Sequence, residues 1–285
     1  MSLSLGERTV GSGATLVVAE IGSNHDGDLD RALALIDAAA AAGADAVQFH
    51  SFRAAPAAVG GDRADPDAQA HRARVELRTE WYARLRERAS ACGCAFLATP
   101  FDDERATLLA ALGVPAFPVA AGDLGRTALL RAVGGFGRPV LLGIAGAKSG
   151  AIDAALVAIG EGAGAPPRRP PVVLVTGPNG GDGAALDGVG RLDERHACLV
   201  GWSDRQPTPV LALGAVARGA CLVVKPFTDD RARRGPEHAS ALDPAAFAAM
   251  VTGIRELEPA LGAPRVRRGP LAAARPAVER VGRMR

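Results

Sequence analysis

Aromatic residues are scarce in this chain: one Tyr, two Trp and eight Phe make up 4% of its 285 residues. A core with so few rings has to be filled by aliphatic and small side chains, so its helices and strands must approach closely. The four cysteines, Cys92, Cys94, Cys198 and Cys221, have the spacing of neither a zinc site nor a disulfide framework, and they read as small buried hydrophobes. No run of about 18 uncharged apolar residues occurs, which excludes a spanning helix. The opening MSLSLGERTVGSG lacks the basic-then-apolar layout of a secretory leader, so a cytoplasmic location is expected. A large excess of one charge is also missing, because a formal net charge of +2 is too small to imply a nucleic-acid or anionic-membrane partner.

What is present is alternation. Short apolar runs of β type alternate with longer segments of helical period, as in a parallel sheet with crossover helices. The pattern predicts strands near 15–21, 45–49, 94–98, 116–120, 138–143, 171–176, 197–201 and 220–225. Helices are predicted near 29–42, 78–91, 103–112, 126–135, 150–160, 185–193, 207–218 and 243–260, with Asp28 and Asp102 as N-caps. Eight βα units in about 250 residues define a single-domain α/β protein, a (β/α)8 TIM barrel, spanning residues 1–262. The rival, a doubly wound open sheet, lacks its GxGxxG fingerprint after the first strand. Residues 52–77 read as a polar, mobile insertion over the barrel mouth. Residues 263–285, with seven Arg and three Pro, read as a basic tail, either draped on the surface or docked on a partner subunit.

A barrel of this kind works at the C-terminal ends of its strands, so polar residues there are the candidates. They are Glu20, Asn24 and His25 after the first strand, Gln48, His50 and Arg53 after the second, and Thr99, Asp102 and Asp103 after the third. Asp123, Lys148 and Asn179 follow the next three strands. Ser203, Asp204 and Arg205 follow the seventh, and Lys225, Thr228, Asp229 and Asp230 the eighth. Glu20 is the most telling, because a carboxylate inside VVAEIG is costly to bury without a partner. It reads as an acid/base or a hydroxyl ligand, or as the partner of Lys225 or Arg205 in a structural ion pair. His25 reads equally as an acid/base or as part of an Asn24-His25-Asp26-Gly27 turn. His50 is alone on its strand and could be simply a satisfied polar residue. Ser203-Asp204-Arg205 suits a phosphate or carboxylate, or alternatively a helix cap. Lys225 is expected to point its ammonium at the mouth, for an anion or a Schiff base, against the alternative of a structural pair.

The stretches AEIGSNHDGDLDRALALIDAAAAAGADAVQFHSF, LATPFDDE, VPAFPVAAGDLGRTALL, VGWSDR and ALGAVARGACLVVKPFTDDRARRGPEHASALDP follow in order through most of the chain. They resemble the N-acetylneuraminate (sialic acid) synthases and their relatives that make other sugar acids. The resemblance implies a barrel enzyme that condenses phosphoenolpyruvate with an amino sugar, using a divalent metal such as manganese, as a homodimer. It matches at Glu20, Asn24, His25, Thr99, Pro100, Phe101, Asp102, Asp123, Ser203, Asp204, Lys225, Phe227, Thr228 and Gly235. By resemblance Glu20 lies in the active site, and Thr99 and Ser203 lie where phosphoenolpyruvate binds.

The departures carry as much information. The family's metal-binding histidines, in motifs ending SDH and reading EKHFT, are here Arg205 and Pro226, so no metal is expected. Its two lysines, in AVKFQ and KIASGD, are here Gln48 and Pro118. The small antifreeze-like domain that follows the family's barrel is not expected after residue 262. The set Glu20, His25 and Lys225 (catalytic) with Asn24, His50, Thr99, Asp102, Asp123, Ser203, Asp204 and Arg205 (substrate-binding) therefore predicts an enzyme of changed chemistry. It would make or break carbon–carbon bonds, without a metal cofactor, on a small anionic or sugar-like substrate. The alternatives are a non-catalytic scaffold or regulatory homologue, and a phosphoenolpyruvate-dependent synthase with rearranged ligands.

Overall fold

The computed structural model describes residues 3–5, 8–11, 13–54, 66–164, 170–178 and 185–262. An antiparallel hairpin of β1 (Leu3–Leu5) and β2 (Arg8–Val10) precedes the repeating unit. The repeat then runs β3 (Leu16–Gly22), α1 (Leu29–Ala41), β4 (Ala46–Ser51), α2 (Pro66–Arg74), α3 (Trp81–Ala91), β5 (Ala95–Pro100), α4 (Asp103–Leu112), β6 (Phe117–Val119) and α5 (Thr127–Gly135). It continues with β7 (Val140–Gly143), α6 (Ser149–Gly162), β8 (Val172–Thr176), α7 (Gly188–His196), β9 (Leu199–Ser203), α8 (Val210–Ala217), β10 (Leu222–Pro226) and α9 (Pro244–Leu261). Each of the eight predicted strands and eight predicted helices is there, shifted by a few residues at most.

The eight strands of the repeat form one parallel sheet in the order β5-β4-β3-β10-β9-β8-β7-β6, which brings the first of them beside the last. β5 and β6 lie next to each other without a hydrogen-bonded register, so the sheet curls into a (β/α)8 barrel with one seam. The period-two alternation of each strand sorts its side chains into two layers. Leu16, Val18, Ala46, Leu97, Leu141, Val173, Leu222 and Val224 fill the barrel, and Leu3, Leu5 and Val10 of the hairpin belong to the same cluster and plug one end. Val17, Ala19, Ile21, Val47, Phe49, Phe96, Val223 and Phe227 face the helices. Each large aliphatic side chain so buried stabilises the fold by about 1.5–3 kcal/mol.

Helices begin where side-chain acceptors meet their free amide groups: Asp28 takes the Arg31 N–H at 3.1 Å, Asp102 the Arg105 N–H at 2.8 Å, and Asp243 the Ala246 N–H at 2.9 Å. The 52–77 insertion is corrected in part. Residues 66–74 are helical and Val75 and Leu77 are buried, whereas 55–65 lie outside the described residues, as do Asn179 and the 263–285 tail. The helix was hard to see because PDAQAHRAR has no apolar stripe. It docks through Gly27, whose φ is +79° and where a Cβ would come within 2.1 Å of the Arg74 carbonyl oxygen. Gly27→Ala is expected to cost about 1–2 kcal/mol in backbone conformation alone and to loosen α2, read as faster limited proteolysis near Arg74. No described helix is long and apolar enough to cross a membrane.

Candidate active site

The strand register aligns Glu20 with Pro226 on one side and Gln48 on the other, all at the C-terminal ends of their strands. All three follow the parity of the barrel-filling residues, since Val18, Ala46 and Val224 stand two positions before them. His50, two residues beyond Gln48, meets Glu20 with Nε2 to Oε1 at 3.2 Å. Its Nδ1 lies 3.7 Å from Oε2 of Glu237, which comes from the loop after β10. Glu237 also accepts the Ser23 N–H at 3.1 Å and Nη1 of Arg205 at 3.2 Å. Gly22, at φ +56°, makes this cluster fit: a Cβ there would stand 2.6 Å from Glu237 Oε2 and 3.1 Å from His50 Cε1.

The result is a chain of alternating charge, Glu20, His50, Glu237 and Arg205, set at the mouth. Burial alone would raise the Glu20 carboxyl, but the His50 hydrogen bond, the His50 charge and Arg205 outweigh it and hold the group below its ordinary value. Burial opposes charge on His50 as well, yet Glu20 and Glu237 raise it above the usual imidazole value. The arrangement therefore favours a carboxylate beside an imidazolium.

Around this chain, Gln48 Nε2 donates to Thr99 Oγ1 at 3.2 Å, while Gln48 Oε1 is buried with no partner among the described residues. Asp123 binds Arg126 through Oδ1 at 3.1 Å, and its Oδ2 is a second buried acceptor without a donor. Ser203 ends β9 half-buried. Arg205 keeps half of its side chain exposed.

Several expected site residues serve the framework instead. Lys225 does not point to the mouth. Its neighbours Val224 and Pro226 take the inward parity, so its side chain goes outward, where it is fully buried and ion-paired with Asp204. Asp204 is equally buried; it also accepts Trp202 Nε1 at 2.8 Å and the Gln206 N–H at 2.9 Å. His25 packs against Phe49 and Trp81, accepts the Gly27 N–H at Nδ1 at 3.1 Å, and is held neutral by burial, which lowers its pKa to about 4. Asn24 is buried and ties its loop to the Phe227 carbonyl at 2.9 Å. Asp102 caps α4 and meets Arg53 at 3.4 Å. Lys148 is exposed at the start of α6, and Asp229 pairs with Arg31. Burial pushes the Cys94 thiol up to about 11 and the Cys221 thiol to about 12, so neither offers a nucleophile near neutrality.

Glu237 escaped the sequence reading because it sits in a polar loop, RARRGPEH, with no periodic signal. A second group also went unseen: buried His238 joins Thr228 Oγ1 at 2.8 Å to Asp26 Oδ1 at 3.2 Å.

The two positions that resemble the family's metal ligands do not form a ligand set. Pro226 has no donor atom to offer, and Arg205 is a cation already paired with Glu237. Among the described residues no three His, Cys, Asp or Glu side chains are grouped to hold an ion.

Fold and site together define a (β/α)8 barrel with an acid–base and arginine cluster at the C-terminal ends of its strands. The NeuB family model matches residues 35–265, and the chain belongs to the NeuB family. It is similar to the N,N'-diacetyllegionaminic acid synthase of Campylobacter jejuni, with 32% identity over 87% of this chain and 78% of that protein. It is 33% identical to the spore coat polysaccharide biosynthesis protein SpsE of Bacillus subtilis, over 90% of this chain and 71% of that one. Among solved structures it superposes on an N-acetylneuraminic acid synthetase from Leptospira borgpetersenii, crystallised in complex with citrate. The TM-score is 0.81 and the identity 26%, covering 95% of this chain and 93% of that one.

Proposed function

We propose that the chain is a sugar-acid synthase-type enzyme of carbohydrate biosynthesis, making or breaking a carbon–carbon bond on a sugar-like or keto-acid substrate without a metal. The observation that carries the reading is the Glu20–His50–Glu237–Arg205 charge chain at the mouth. The second oxygen of Glu20 takes no hydrogen bond from any described residue and is free to exchange a proton with a substrate oxygen. In the bond-breaking direction the Glu20 carboxylate takes the hydroxyl proton as the carbonyl forms, and the carboxylic acid so made returns that proton to the carbanion left on the departing carbon. His50 keeps Glu20 ionised and oriented. Arg205 holds the substrate carboxylate with the guanidinium hydrogens that Glu237 does not use. The unfilled acceptors Gln48 Oε1 and Asp123 Oδ2 suit the hydroxyl donors of a sugar. With Gln48 and Pro118 carrying no charge, and Arg205 and Pro226 where a metal would be held, the residues support a substrate other than a metal-activated phosphoenolpyruvate pair.

Calorimetric titration with pyruvate, phosphoenolpyruvate and N-acetylneuraminate, each with and without manganese, tests this. A carboxylate is expected to bind independently of manganese and to lose about 10- to 100-fold in affinity in Arg205→Ala, the worth of charged hydrogen bonds. Tight phosphoenolpyruvate binding that requires manganese would overturn the reading. Absence of both binding and turnover would replace it with the non-catalytic alternative.

A further inference from the structure

Where the His238 loop meets Asp26, a cleft of about 550 Å³ is lined by Asp26, Asp28, Arg31, Arg74, Arg233 and Arg234. We propose that this cleft is a second anion site, which takes the phosphate group of a phosphorylated small molecule.

Charge is the first argument. Four guanidinium groups face two carboxylates in the lining. Arg233 meets Asp26 at 2.9 Å, and Arg31 is matched by Asp229 and, at 3.6 Å, by Asp26. Among the described residues Arg74 reaches the ring nitrogen of His71, at 3.2 Å, and no carboxylate, and Arg234 has no acceptor. Two guanidinium groups without a counter-charge among the described residues, on one concave surface, match the double charge of a phosphate monoester. Asp28 is occupied in capping α1 through Oδ1.

The second argument is that the cleft is built rigidly. Asp26 holds a left-handed backbone, φ 53°, unusual for a residue with a side chain. It is fixed there by His238 at 3.2 Å and Arg233 at 2.9 Å. Arg74 is brought in by the approach of its backbone to Gly27. Such fixed placement removes much of the ordering cost of binding. The volume lies within the roughly 300–1,000 Å³ of small-ligand pockets, so more than a bare phosphate fits. His238 adjoins Glu237, which connects the cleft through one loop to the Glu20–His50 site.

Titration of the full chain with inorganic phosphate, glucose 6-phosphate and glucose tests the site. Both phosphates are expected to bind, more weakly as salt is raised, while glucose does not. The double variant Arg74→Gln/Arg234→Gln, in which neither position loses a carboxylate partner, is expected to bind phosphate about 10-fold more weakly or worse. Arg131→Gln, which removes one positive charge from the Glu161 pair outside the cleft, is expected to bind it as before, whereas each of the single variants Arg74→Gln and Arg234→Gln is not. Failure of phosphate to bind, equal binding by the double variant, or an equal loss in Arg131→Gln would overturn the proposal. Arg205→Ala separates this site from the mouth: it weakens keto-acid binding and leaves phosphate binding unchanged.

Discussion

Asp204→Asn is expected to destabilise the barrel by about 3–5 kcal/mol, the usual cost of leaving one member of a buried ion pair without its partner. Asp204 and Lys225 are both fully buried, so water cannot compensate the ammonium when the carboxylate is gone. Lys225→Met is expected to cost less, because Asp204 keeps the Trp202 indole and the Gln206 amide. Urea denaturation of the two single variants and the double variant gives the coupling directly. A pair that braces β9 against β10 must show a large coupling in stability. A lysine working at the mouth would instead leave stability nearly intact and remove only turnover.

Acidification is expected to weaken the fold by about 3 kcal/mol between pH 6.5 and 4 through His25 alone. Burial lowers its pKa from 6.5 to about 4, partly opposed by Asp26 and reinforced by the charge of His50. In that window the unfolded chain carries the extra proton, so stability falls as pH falls; the contribution is complete above 6.5 and gone below 4. His25→Gln, which keeps an acceptor for the Gly27 N–H, is expected to flatten this part of the profile when urea midpoints at pH 7 and 4.5 are compared. An unchanged slope in that variant would show that His25 is not the titrating group. Glu20 and Asp26, whose pKa values are lowered, act at still lower pH. His50 acts in the opposite sense: its raised pKa means its contribution is complete below the ordinary imidazole value and is lost as pH climbs through the raised one.

Strand and helix order was legible because each apolar run is short, β-rich and followed by a helical period. Parity is legible too: in Val223-Val224-Lys225-Pro226 a lysine of the outward set cannot reach the mouth while Val224 fills the barrel. The β1–β2 hairpin was not legible, since strands of three residues carry too few alternations to register. His25 sits in the Asn24-His25-Asp26-Gly27 turn, one of its two readings, but its burial was not legible because turns usually lie at the surface. Only the tertiary approach of Phe49 and Trp81 buries this one. Glu20, His50 and Arg205 were found as separate candidates, but what joins them is Glu237, more than 180 residues from His50 along the chain.

The β5–β6 seam leaves the barrel one side without a main-chain ladder. Phe117 donates its N–H to Pro139 beside β7, so residue 118, next along β6, aims its amide position at β5. Ala95 and Phe101 both donate toward β4, so Pro100 in turn aims its amide position at β6. Both of these facing positions are prolines and have no hydrogen to give. Pro118 is thus more than the loss of a positive charge: with Pro100 it removes two amide donors from this junction near the mouth. At this one junction the ring of strands is held by side-chain packing, which is not directional, where every other junction is held by a main-chain ladder.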